Sequence, residues 1–236
     1  MAKKAKHSLW NIKDIIILQF IFYLLREAIR WSQEVLVTGD SFLNFLLPVG
    51  GQLVFLAVVF FWLFFLYEVP PPYLGLTLEK LKSGTILGLK LGIPLILLAV
   101  FLINFPLAAR ESSLNFSPLY YITDAEQLTT SLLYLVLFTT LFFLPALGTE
   151  LYFRGIIASY FHRKLGTFGA AALSSAFFAI VWAGLHPGWL LFHFLLGLGL
   201  YYCYTSRESL WPGVIYLSLV KAVLTLYAVG WQYFNI

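Results

Sequence analysis

Apolar residues come along this chain in long runs. They follow neither the strict alternation of a half-buried strand nor the narrow stripe of a surface helix. A transmembrane helix needs about 20 mostly apolar residues. Runs of that kind fall at roughly 13–31, 42–66, 84–107, 128–147, 168–186, 189–204 and 210–230. A helical segment at 149–163 continues the fourth. The pattern predicts an all-α fold, a polytopic membrane helix bundle of about seven spans (six to eight), in a single membrane domain over 1–236. The first run carries Lys13, Asp14, Gln19, Arg26, Glu27 and Arg30. It is therefore amphipathic and is expected at the edge of the bundle or partly in the interface. The second run is long enough to span despite Pro48, Gly50 and Gly51.

Composition names the solvent. The chain is 61% hydrophobic and 11% charged, against about 25% charged residues in ordinary soluble domains. So little charge cannot cover a globular surface, which excludes a soluble domain, a disordered chain and a nucleic-acid binder. The net charge of +4 is too small to imply a polyanionic partner. Cys203 is the only cysteine, so no internal disulfide and no cysteine-based zinc site can form. Lys3, Lys4 and Lys6 precede an apolar run as in a signal peptide. Gln19 interrupts that run and no small-residue cleavage site follows, so it reads as a retained helix.

The position of the charges orients the bundle. Lys3, Lys4, Lys6, Lys80, Lys82, Arg163, Lys164 and Arg207 mark one side. On the other side Arg26, Arg30 and Arg110 are offset by Glu27, Glu34, Asp40, Glu111, Asp124 and Glu126. By the positive-inside rule the N-terminus is expected to be cytoplasmic, in a multi-pass protein of the cell membrane. Gly84, Gly88 and Gly92 lie four apart on one helix face and predict a close approach between two helices. The polar connection 108–127 has room for a short amphipathic helix, and no internal repeat is found.

Charges at membrane depth are costly and are usually functional or paired. Here they are Glu150, Arg154, His186, His193 and Lys221. Glu150 stands 16 residues before Gly166 and His186 20 after it. His193 stands 14 before Arg207 and Lys221 14 after it. At about 1.5 Å per residue these counts predict one shared buried layer in an antiparallel bundle. Glu150 and Arg154, four apart, suit an ion pair. His186, just before the helix-ending pair Pro187-Gly188, suits a polar cap, and His193, between Phe192 and Phe194, a satisfied core histidine. Lys221 lies too deep to snorkel, and Glu150 is the carboxylate at the matching depth. Zinc usually takes three or four ligands. Two histidines and Glu150 reach only the lower number, a thin case for a metal, and the sequence requires no cofactor. The zinc-protease HExxH motif, the phosphate-binding GxxxxGK[ST] loop and the GxSxG nucleophile elbow are absent.

Thr149-Glu150-Leu-Tyr-Phe-Arg154-Gly155 resembles the Glu-Glu-x-x-x-Arg signature of the CAAX protease and bacteriocin-processing family. Trp182-Ala-Gly-Leu-His186 resembles its second motif, Phe-x-x-x-His, with Trp182 in the Phe position. Gly197-Leu-Gly-Leu-Tyr and Ser209-Leu-Trp-Pro-Gly-Val-Ile resemble the approach to its third motif, and Leu74-Gly75-Leu76 its usual entry to a span. The resemblance covers a core of roughly 70–225. It implies an intramembrane endopeptidase open toward the cytoplasm. The first Glu of the pair activates water, the second-motif His assists, and a later His and Asn support the oxyanion. A carboxylate in an apolar site is suited to general-base work. The sequence departs from this pattern at three positions: Thr149 stands at the catalytic Glu, Leu217 at the later His and Lys221 at the Asn.

Three functions fit these residues. The first is a peptidase with a rearranged site, in which Glu150 activates water and His186 or His193 assists, with Thr149, Arg154 and Lys221 around it. The second is a catalytically silent member that binds a hydrophobic or lipidated peptide, with Glu150 paired to Lys221. The third is a small-molecule or ion carrier, although the inverted repeats and paired broken helices of carriers are not evident. A Thr149 nucleophile with Lys221 as its base is opposed by Glu150, which would hold Lys221 charged. The partners expected are membrane lipid and a hydrophobic or lipidated peptide or protein substrate, with no nucleic acid.

Overall fold

The computed structural model describes residues 10–36, 42–104, 125–183 and 187–234. Every regular element among them is helical. Helix α1 spans Ile12–Leu36 and α2 spans Phe42–Phe61, continued by a π-turn at Trp62–Leu66. Two short 3-10 turns, Pro71–Leu74 and Leu78–Lys80, lead into α3, Leu81–Asn104. Helix α4, Ala125–Glu150, continues as a π-helix over Leu151–Ala158. Then come α5 (Ser159–Ala183), α6 (Pro187–Arg207) and α7 (Trp211–Phe234). Among the described residues, three stretches are long and apolar enough to cross a membrane: Leu46–Leu66, Pro71–Leu98 and Leu132–Trp182.

The third stretch is not one rod. Its 51 residues would extend about 77 Å as a straight helix, against a hydrocarbon core of about 30 Å. Gly166, at φ 69° and ψ −172°, turns the chain inside α5. The returning segment packs on the π-helix: Phe153 meets Phe177 and Phe178, and Ala158 clusters with Ala170. The pairings 153 with 178 and 158 with 170 run in opposite directions, as a hairpin requires. Helices α5 and α6 form the next hairpin, with Phe178 against His193 and Gly197 against Ser175. The Pro187-Gly188 pair, expected to end a helix, follows the end of α5, and Pro187 opens α6. Proline is tolerated there because the first helical N–H has no partner to lose. The connection 108–127 falls mostly outside the described residues.

The glycine stripe does what its spacing predicts. Gly84 faces Trp211 and Pro212, Gly88 faces Pro212 and Tyr216, and Gly92 faces Tyr216 and Leu219, so α3 runs parallel to and close against α7. Helix α4 lies antiparallel on the same helix, with Phe138 clustered with Ala222 and Glu150 facing Gly213. Helices α1 and α2 form an outer antiparallel pair through Phe22–Phe55 and Ile29–Gly51.

The connections at one end interlock. The run Pro70-Pro71-Pro72 cannot continue α2. Gly75, at φ 69°, lies so close to the Glu208 carbonyl that a side chain would collide with it. Ser209 Oγ donates to the Gly75 carbonyl (2.8 Å) and Trp211 Nε1 to that of Thr77 (2.9 Å). Trp10 Nε1 donates to the Ile156 carbonyl (2.7 Å), which ties the start of the chain to the π-helix.

Candidate functional site

The fold places Glu150 at the junction where α4 widens into the π-helix. Such widened turns often occur at functional sites. All eight π-helical residues are buried. Glu150 Oε1 and Arg154 Nη1 stand 3.3 Å apart, and both side chains are 0% exposed. Arg154 Nη2 also donates to the Gly197 carbonyl of α6 (2.8 Å), and its guanidinium lies 5.1 Å from the centre of the Phe178 ring. One arginine thus joins the π-helix, α5 and α6. The second carboxylate oxygen lies against Gly213 of α7, where any side chain would collide with it. Neither Glu150 oxygen has a hydrogen bond of acceptable geometry, and neither do Arg154 Nε and Nη1.

Thr149 is buried, and its hydroxyl donates to the Pro145 carbonyl one turn back (2.9 Å). Serine and threonine inside helices commonly make this bond. Leu217 is a core residue. His193 holds Nδ1 2.9 Å from the Trp189 carbonyl, with its ring among Phe178, Trp189 and Phe192. That is the satisfied aromatic setting expected of a core histidine. His186 lies outside the described residues.

The expected Glu150–Lys221 pair is not formed. Lys221 Nζ donates to Gln52 Oε1 of α2 (2.7 Å) and sits 4.4 Å over the Trp182 ring. The partner of Glu150 is Arg154. The depth count fails because the α7 residue beside the carboxylate is Gly213, two turns before Lys221. Counting from the turns also assumed α-helical rise through 151–158, where the chain is π-helical. Lys221 and Arg154 are still linked through aromatic rings, since Phe178 and Trp182 pack on each other. Gln52 was not singled out from the sequence. Its signal was available: it is the lone amide in the otherwise apolar stretch 46–66.

Among the described residues, no group of three histidine, cysteine or carboxylate side chains is placed to hold a metal. At the interlocked end, one turn beyond Arg154, a cavity of about 520 Å³ opens among Tyr73, His162, Tyr201, Tyr204 and Glu208. It joins aromatic faces to hydroxyl, imidazole and carboxylate groups.

Residues 131–223 match a family model described as Rce1-like, type II CAAX prenyl endopeptidase Rce1-like. The matched stretch holds Thr149, Glu150, Arg154, His186, His193, Leu217 and Lys221, and it covers the later part of the 70–225 core. No curated protein and no solved structure matches the chain.

Proposed function

From the premise that the chain belongs to the CAAX protease family through residues 131–223, we propose that it is a multi-pass membrane protein of one domain that holds a hydrophobic or lipidated peptide without cutting it. The observation that carries this reading is the closed Glu150–Arg154 pair. A general base must reach the water it activates. Here one carboxylate oxygen faces a guanidinium and the other a glycine of α7, with no exposure of either side chain. The motif positions agree with this. Threonine is no base near neutral pH, and the Thr149 hydroxyl is already engaged by Pro145. Leu217 takes up no proton, and Lys221 is turned to Gln52 and Trp182. The cavity near Tyr201 and Tyr204 offers the aromatic faces and polar edges that suit an amphipathic peptide.

The test uses the full chain in bilayers and a farnesylated peptide ending in a CAAX sequence. The expected result is saturable binding, weakened by Tyr201→Ala, with no release of the C-terminal tripeptide above protein-free bilayers. Tripeptide release that is abolished by Glu150→Gln would overturn the reading. One observation favours a second reading, a peptidase that uses Glu150 with His186 or His193. The unsatisfied oxygens of Glu150 are the kind of buried polar atoms that a water serves. In that case release occurs and falls with both Glu150→Gln and His186→Ala.

A further inference from the structure

A second cavity lies outside the Glu150 site, at the end of α1 remote from Trp10. It has a volume of about 370 Å³ and opens between α1, α2 and the end of α5. That volume is within the usual range of about 300–1,000 Å³ for small-ligand sites. Its walls are apolar and aromatic, with Phe22, Phe55 and Trp182 among them. Its polar lining includes Arg26, Arg30 and Gln52, and among the described residues no carboxylate lines it.

The charges are arranged in two levels. At the mouth, Arg30 is held by Glu27 (2.9 Å) and Glu34 (3.8 Å) on the same helix. Arg26 is not among those pairs. Its Nη1 donates to the Val181 carbonyl (3.3 Å), which draws the guanidinium toward the cavity. At the floor, Gln52 and Trp182 form the lining, and Lys221 lies immediately behind both. Lys221 has three donors, and no carboxylate lies within 4 Å of it among the described residues. A cation at membrane depth is costly unless something balances it. An apolar slot with one cation at its mouth and another behind its floor suits a molecule with an apolar tail and an anionic head.

We propose that the cavity bounded by Arg26, Gln52, Phe55 and Trp182 binds an anionic single- or double-chain lipid, its acyl chain against the aromatic walls and its head group on Arg26. This site is distinct from the cavity of the peptide-binding reading, because the two share no lining residue.

The experiment measures binding to the purified full chain in neutral detergent by native mass spectrometry and by thermal shift. Four probes separate the chemistry: dioleoylphosphatidylglycerol, oleate, dioleoylphosphatidylcholine and inorganic phosphate. Retention of phosphatidylglycerol or oleate, at least tenfold tighter than phosphatidylcholine, supports the proposal, and the tighter of the two identifies the head group as phosphate or carboxylate. Arg26 is exposed, so Arg26→Gln should keep its melting temperature in phosphatidylcholine while losing at least tenfold in anionic-lipid affinity. Gln52→Leu should lower the affinity from the floor side. Lys13→Gln, at the far end of α1, should leave it unchanged. Three results would overturn the proposal: equal binding of phosphatidylcholine, an equal shift with inorganic phosphate alone, or equal losses in Arg26→Gln and Lys13→Gln.

Discussion

At the scale of single residues, the chemistry turns on which cation answers Glu150. Moving two charges out of water costs several kcal/mol each, and a buried pair is tolerated only when geometry and further hydrogen bonds offset that cost. Arg154 meets that condition only in part: Nη2 bonds the Gly197 carbonyl and the guanidinium lies over the Phe178 ring, while Nε, Nη1 and both Glu150 oxygens make no hydrogen bond. Removing one member strands the other, so Arg154→Ala should cost roughly 3–5 kcal/mol of stability. Replacing both with leucine should recover much of the loss. The measurement is unfolding free energy in bicelles, as a double-mutant cycle. Glu150→Ala and Lys221→Ala should instead couple less strongly than Glu150→Ala and Arg154→Ala, because no direct ion pair joins the first two side chains. Strong coupling between them would restore the pairing expected from the depth count. The Glu150–Arg154 contact was legible in the sequence because four residues of helix fix it locally. The Lys221–Gln52 contact was not, because its two residues are 169 apart along the chain and meet only through the packing of α2 on α4 and of α4 on α7.

At the scale of elements, the apolar runs located the helices to within a few residues, because membrane residence demands long runs and polar residues interrupt them. The π-helix at Leu151–Ala158 was not legible. A π-helix and an α-helix place the same apolar residues in the same run, and the difference lies in hydrogen-bond register. The turn at Gly166 was legible as a polar break around Arg163 and Lys164. What closes the end of the bundle is a set of polar contacts between elements. Tyr67, just past the π-turn, donates its hydroxyl to Asp14 Oδ2 (2.7 Å), and its ring packs edge-on against Trp10. Burial, together with the hydrogen bond to Asp14 and its charge, pushes the Tyr67 hydroxyl up to about 12. The folded chain therefore holds this proton more tightly than the unfolded chain, whose value is near 10. The contribution to stability is fully present below pH 10 and is lost as pH rises from about 10 to 12. Thermal unfolding followed across that window should show a fall that Tyr67→Phe reduces. An unchanged slope in that variant would remove Tyr67 from the account.

At the scale of the whole molecule, contacts and charges converge on one end. Trp10 meets Tyr67, Ile156 and Arg163 there, and Lys80 meets the Glu208 carbonyl (3.0 Å). The connections after α2, inside α5 and after α6 therefore gather at the end that carries the start of α1. These are also the connections with Lys80, Lys82, Arg163, Lys164 and Arg207. By the positive-inside rule such an end is expected on the cytoplasmic side. A chain whose connections alternate between two ends in this way makes about seven passes if each helix spans. Cys203 is the only cysteine and is buried, so Cys203→Ser leaves a background on which new cysteines report topology. Lys82→Cys, Lys164→Cys and Arg207→Cys should all react with an impermeant maleimide only after the cytoplasmic face is opened. Glu34→Cys should react in intact cells. If Lys164→Cys and Lys82→Cys reacted from opposite faces, the reversal at Gly166 would not lie at the shared end. The span count would then drop, and the Glu150 pair would lie at a different depth from the one its contacts with α6 and α7 describe.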